Sequence, residues 1–228
     1  MLTGIMLLYV GATLGIDGIW LIGQARAARL SQAAAIIGAT EADASDAMIA
    51  EGGSDTAVRE RQLAPPRTGS IESHFTFMQP KEIAVINFFT GGVGVVVAVL
   101  FATIGAIDNN LSDIANAAFI MLFGFTYLFL GFNQFLNAGN HVFGWFDFFV
   151  AITAIPTGVY TLRAAHGNAA DIWLGVNWFI WAGLWFSFFL LLTMERPIAR
   201  QVGWATTAVA VATCWAFGYT LLQGVVAL

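Results

Sequence analysis

The chain reads as an all-α integral membrane protein with six transmembrane helices, arranged as three two-helix hairpin repeats. Three observations predict this. Hydrophobic residues make up 58% of its 228 residues and charged residues 10%, against about 25% charged in an ordinary soluble domain. Six apolar runs each reach the roughly 20 residues that cross a bilayer as a helix. Short motifs also recur between runs: Asn87-Phe88-Phe89-Thr90 opens the second and Asp147-Phe148-Phe149-Val150 the fourth. In the same way, Tyr9 precedes Asp17-Gly18 in the first run, and Tyr127 precedes Asn133-Gln134 in the third. Internal repeats of short helical units are common among transport proteins.

In order, the spans are Leu2–Gln24, Ile83–Ile107, Ile114–Leu136, Gly144–Leu162, Ile172–Met194 and Val202–Val226. The first lacks a basic segment ahead of its apolar run, so it reads as a retained span and not a cleaved signal. Orientation follows from Lys and Arg. Arg26, Arg29, Arg59, Arg61, Arg67 and Lys81 fall between spans 1 and 2, Arg196 and Arg200 between spans 5 and 6, and only Arg163 between spans 4 and 5. Positive loops stay in the cytoplasm, which places both termini outside.

Residues 1–24 and 81–228 would thus form one membrane domain, with 25–80 as a flexible cytoplasmic insertion loop. That segment is rich in Ala, Gly, Ser and acids (Glu41, Asp43, Asp46, Glu51, Asp55, Glu60) and carries Pro65-Pro66. It has too few large apolar residues to build a core. Within it, Leu30–Ala50 could form a short helix.

The run from Trp173 to Met194 carries the most informative pattern. Trp178, Trp181 and Trp185 are spaced i, i+3 and i+7, so their indoles share one helix face. Interfacial tryptophans sit near span ends. A stripe through the middle of a span faces protein or a narrow aqueous path, because hydrocarbon offers an indole N–H no partner. Leu7, Val10, Leu14 and Asp17 form a stripe on span 1, and Phe119, Phe123 and Tyr127, continued by Leu130, one on span 3. Stripes of this kind are commonly core. Large rings combined with hydroxyl and indole donors also suit a small, flat, polar solute such as an amide.

Asp17 and Asp147 are the acids expected within spans, where a carboxylate is costly and marks a pathway. Asp147 lies near a helix N-terminus, which favours it; Asp17 would lie near a helix C-terminal end, which disfavours it and implies a paired or functional role. His74, His141 and His166 are too dispersed for a metal site, and the lone Cys214 rules out an internal disulfide or a cysteine-based one. No nucleophile–base arrangement or phosphate-binding loop is present, so no enzyme, cofactor or nucleic-acid partner is expected.

Several of these stretches resemble the bacterial urea channel and amide transporter family (AmiS/UreI). They are Met1-Leu2 through Leu7-Leu8-Tyr9-Val10-Gly11, Gly18-Ile19-Trp20-Leu21, Asn87-Phe88-Phe89-Thr90-Gly91-Gly92, Phe123-Gly124-Phe125-Thr126-Tyr127-Leu128, and Trp178 to Trp185. The resemblance covers roughly 1–24 and 80–228. It implies a six-helix protomer with its own pore, a homo-hexameric ring in the inner membrane, and passive conduction of urea or short-chain amides to a cytoplasmic urease or amidase. It places the constrictions on Leu7, Val10, Leu14, Phe123, Tyr127, Trp181, Leu184 and Trp185, with Trp178 on the same stripe. Asp17, Asn87, Asn133 and Asp147 would form a polar inner mouth.

Three departures set this chain apart within that resemblance. The first loop is long, Asp17 stands where the compact urea channel has Asn, and span 6 has Val209 near the place of a carboxylate in the acid-gated member. With only His166 expected outside, acid activation is not expected, and the amide-transporter branch is favoured. The competing expectation is a proton-coupled amide carrier using Asp17 or Asp147.

Overall fold

The computed structural model describes residues 1–50 and 78–226, with the side chains of 41–50 left aside. Among these residues every regular element is helical. Helix α1 runs Leu2–Ala50, α2 Pro80–Ile107, α3 Leu111–Leu136, α4 His141–Ala164 and α5 Ala169–Leu192. The sixth span is α6 (Ala199–Val209), a π-helical turn (Ala210–Trp215) and α7 (Ala216–Leu222). Among the described residues six helices are long and apolar enough to cross a membrane.

Local chemistry sets the starts of the helices. Pro80 occupies the first position of α2, where its missing N–H costs nothing, and Glu82 Oε2 accepts from the Gln79 amide at 2.7 Å. Asn110 Oδ1 accepts from Ser112 N at 3.0 Å to cap α3. Asn168 Oδ1 accepts from Ala170 N at 2.8 Å to cap α5.

Residues 1–22 and 78–226 belong to one compact unit, and residues 23–50 to a second. The segment expected as a flexible loop is helical as far as Ala50, so the Leu30–Ala50 helix is part of a longer one and span 1 has no end at Gln24. Ala33-Ala34-Ala35 and their neighbours favour this, since alanine is the strongest helix former. The rest of that expectation, residues 51–77, lies outside the described residues. Asp17 is therefore mid-helix, and the unfavourable helix-end dipole expected there does not act on it.

Glycine decides which spans lie closest. A methyl group at Gly94 of α2 would sit 2.9 Å from Gly124 Cα of α3, and one at Gly158 of α4 would sit 3.1 Å from Gly175 O of α5. On α1, a methyl group at Gly11 would sit 2.7 Å from Trp215 N, and one at Gly18 would sit 2.8 Å from Gly203 O. Small residues let membrane helices approach closely where lipid supplies no hydrophobic drive. The tight pairs are α2–α3, α4–α5 and span 6 with α1. Three two-helix units are present, but their closest pairing is offset by one helix from the serial order the sequence echoes implied.

The same contacts fix which positions correspond. Gly18 closes on Gly203 O, Gly131 on Ala84 O, and Gly144 on Leu192 Cβ. Counting from these closures, Leu14 and not Tyr9 corresponds to Tyr127, and Asp17 corresponds to Leu130. Burial agrees: Tyr9 is 49% exposed, Tyr127 3%. The correspondence of Asn87 with Asp147 holds, and Thr206 joins them on span 6.

Candidate functional site

The three expected stripes converge on one cluster in the bundle interior. Met6, Leu7 and Val10 of α1, Phe123 and Tyr127 of α3, and Trp178, Trp181 and Trp185 of α5 are all buried in it; Leu14 packs against it half-buried. Leu184 is buried as well. Phe123 is the hub, with ring centroids 5.9 Å from Trp178, 5.1 Å from Trp181 and 4.9 Å from Trp185. Phe119 adds an edge contact to Trp178 at 5.5 Å. Edge-to-face and tilted arrangements like these are the favoured geometry of packed aromatic rings.

One indole is satisfied in a way the sequence did not reveal. Trp181 Nε1 donates to Thr213 Oγ1 at 2.8 Å, and that hydroxyl donates to Val209 O at 2.7 Å. Thr213 lies on the π-helical turn, where the backbone ladder is locally rearranged. Asn177, one turn before Trp181 and fully buried, donates from Nδ2 to Thr213 O at 3.4 Å. Its Oδ1 has no partner. Sequence reasoning missed both residues. The signal available for Asn177 was an amide in the middle of an otherwise apolar run.

Polar residues gather where the stripes leave the aromatic cluster. Asn87 donates from Nδ2 to Asp17 Oδ1 at 3.0 Å and to Ile83 O at 2.9 Å, linking α1 to α2. One turn away the Thr13 and Thr90 hydroxyls bond at 2.5 Å. The paired role read for Asp17 thus has a physical partner, though its motive was different. Asp147 lies on the α4 stripe with Phe143, Val150, Ala151 and Ala154, is 1% exposed, and neither of its oxygens has a partner. Asn133 instead ties the α3–α4 connection, donating to Gly139 O and to Asn140 Oδ1, both at 3.3 Å. Among the described residues no group of three His, Cys, Asp or Glu side chains could hold a metal.

Six apolar spans closing on a buried aromatic cluster with polar groups at membrane depth define a polytopic helical membrane protein of the transport class. The family follows from comparison: the AmiS/UreI family transporter pattern matches residues 73–225, and the chain belongs to that family of transporters. It is 34% identical over 149 residues to a putative amidate substrates transporter protein of Mycolicibacterium smegmatis, covering 64% of this chain and 67% of that one. It is 26% identical over 162 residues to the acid-activated urea channel of Helicobacter pylori, covering 61% of this chain and 83% of that one. Its fold matches the crystal structure of the urea channel from Helicobacter pylori with a TM-score of 0.67 at 22% identity, over 100% of both chains.

Proposed function

We propose that this chain is a channel for passive movement of urea and short aliphatic amides across the bacterial inner membrane. The observation that carries this is the cluster of Phe123 with Trp178, Trp181 and Trp185, all buried inside a bundle of membrane-length helices. In this reading Phe123, Tyr127, Trp181 and Trp185 form slots for a planar solute, and Leu7, Val10, Leu14 and Leu184 narrow the path. A neutral solute exchanges water for ring faces and a few hydrogen bonds, whereas an ion would lose its hydration shell with nothing to replace it. The names carried by the relatives, a urea channel and a transporter of amidate substrates, support this substrate class.

The further elements of the reading are a homo-hexamer, both termini outside, Asp17, Asn87, Asn133 and Asp147 toward the inner mouth, and delivery to a cytoplasmic amidase or urease. Two buried carboxyls at membrane depth favour a second reading, a proton-coupled carrier. Stopped-flow light scattering on proteoliposomes separates the two. Flux of urea or acetamide down its own gradient, with no proton gradient imposed, is the expected result. Uptake only with an imposed proton gradient selects the carrier, and no flux of any amide refutes both.

A further inference from the structure

Five buried side-chain polar atoms lack a partner among the described residues: Trp20 Nε1, Asn87 Oδ1, both oxygens of Asp147, and Asn177 Oδ1. Four of the five are acceptors, so what this interior lacks is N–H or O–H donors. Asp147 stands out because both its oxygens are unpartnered while the side chain is 1% exposed.

Its position explains why. Across the α1/α2 seam, Asp17 meets Asn87 and Thr13 meets Thr90. The glycine closures make Leu130 and Thr126 of α3 the counterparts of Asp17 and Thr13, and Asp147 and Val150 of α4 the counterparts of Asn87 and Thr90. Each α1/α2 pair thus has one member replaced by an apolar residue in α3 and α4. Thr126 turns its hydroxyl back to Leu122 O at 2.8 Å. Asp147 makes no such bond, and neither of its oxygens has a partner.

From this geometry we infer that Asp147 is a binding station for the N–H donors of the solute, an acceptor at the end of the path where α4 leaves the aromatic cluster. The inference rests on the amide-channel reading and deepens it. A primary amide presents two N–H groups and urea four, and two carboxyl oxygens with free lone pairs take a planar –NH2 edge. Asn87 Oδ1, at the corresponding position on α2, supplies a further free acceptor. Such a station discriminates by donor number, because an analogue lacking the N–H leaves the buried oxygens unpaired.

The test uses the full chain in proteoliposomes with acetamide and its isomer N-methylformamide, which has the same atoms but one N–H instead of two. Asp147→Leu removes the acceptor, and Asp147→Asn keeps one oxygen in place. Loss of one hydrogen bond predicts a fall of about 2- to 10-fold in acetamide flux in Asp147→Leu, with a smaller fall for N-methylformamide. Asp147→Asn should recover a large part of the lost flux. Monodispersity and helix content show whether each variant folds, and the isomer ratio reads the site independently of yield. Parent-like flux and isomer ratio in Asp147→Leu would overturn the inference while leaving the channel intact, as would an equal fall for both isomers. Loss of transport in Asp147→Asn, in a parent whose uptake needs an imposed proton gradient, would make Asp147 a proton site and overturn it too. A parent that moves no amide refutes the channel reading itself.

Discussion

The α1/α2 and α3/α4 seams hold corresponding positions and solve the same problem differently. In the first, polar residues come in matched pairs, Thr13 with Thr90 and Asp17 with Asn87, so each donor meets an acceptor at membrane depth. In the second, Phe129 packs edge-on against Phe143 at 5.3 Å and Phe146 at 6.2 Å, and Asp147 is left over. Matched pairs are a packing device, since lipid cannot satisfy them and each holds its seam in register. An unmatched acid contributes nothing to packing and costs free energy to bury. The contrast teaches where to look for function: in the half-pair, not in the richer polar network.

The largest expected effect comes from the aromatic cluster that both seams enclose. Trp181→Ala removes the indole touching Phe123 and strips Thr213 of its donor. A buried Trp→Ala change costs about 3–5 kcal/mol. A drop in unfolding temperature in detergent, with altered selectivity between urea and acetamide, is expected. Parent-like selectivity in a stably folded variant would remove Trp181 from the solute path.

Glycine substitutions come next, and they contrast the tight pairs with the seams. Gly11→Ala drives a methyl group to 2.7 Å from the Trp215 backbone nitrogen, so α1 or span 6 must shift. Overpacking of this kind costs about 1–3 kcal/mol. Gly92 has nothing within 4 Å of the same position, so Gly92→Ala should be neutral or gain up to about 1 kcal/mol from helix propensity. Equal melting temperatures for the two variants would show that glycine does not set the pairing.

The matched seam itself is tested by a double-mutant cycle. Asn87→Leu leaves Asp17 without its donor, and Asp17→Leu leaves Asn87 Nδ2 with only Ile83 O. Hydrogen bonds between membrane helices average about 0.6 kcal/mol and reach about 1.7. A coupling energy of about 1 kcal/mol or more is expected, the double variant recovering part of either single loss. Strict additivity would mean that the bond holds nothing together.

How much of this was legible in the sequence depended on whether one helix or two had to be known. The tryptophan stripe was legible because 178, 181 and 185 repeat at the helical period on a single span, and all three are buried. The pairing of spans was not, because Gly11 and Gly18 become meaningful only once span 6 is known to face them. Tyr9 and Tyr127 misled for the same reason: identity of residue type stood in for equivalence of place. The extended α1 followed from alanine propensity, which the acidic, glycine-containing composition of the segment obscured. The π-helical turn at Ala210–Trp215 has no signature in Ala-Val-Ala-Thr, so the Thr213 support for Trp181 required coordinates.

The smallest expected effect on stability is the one that bears most on the contrast between seams. Asp147→Leu exchanges a carboxyl with two unpartnered oxygens for an apolar side chain of the same branched shape, though bulkier, in a buried site. Replacing a buried, unpaired polar group by a well-packed apolar one is neutral or stabilising, because no partner is left behind to be unsatisfied. The melting temperature of Asp147→Leu should therefore equal or exceed the parent's, opposite in sign to Asn87→Leu at the corresponding position of α2. Substituting Leu at both positions in otherwise identical protein makes this a comparison of seams and not of side chains. A parallel loss of stability in both would show that Asp147 has a structural partner in the membrane, and the α3/α4 seam would then be matched like the first.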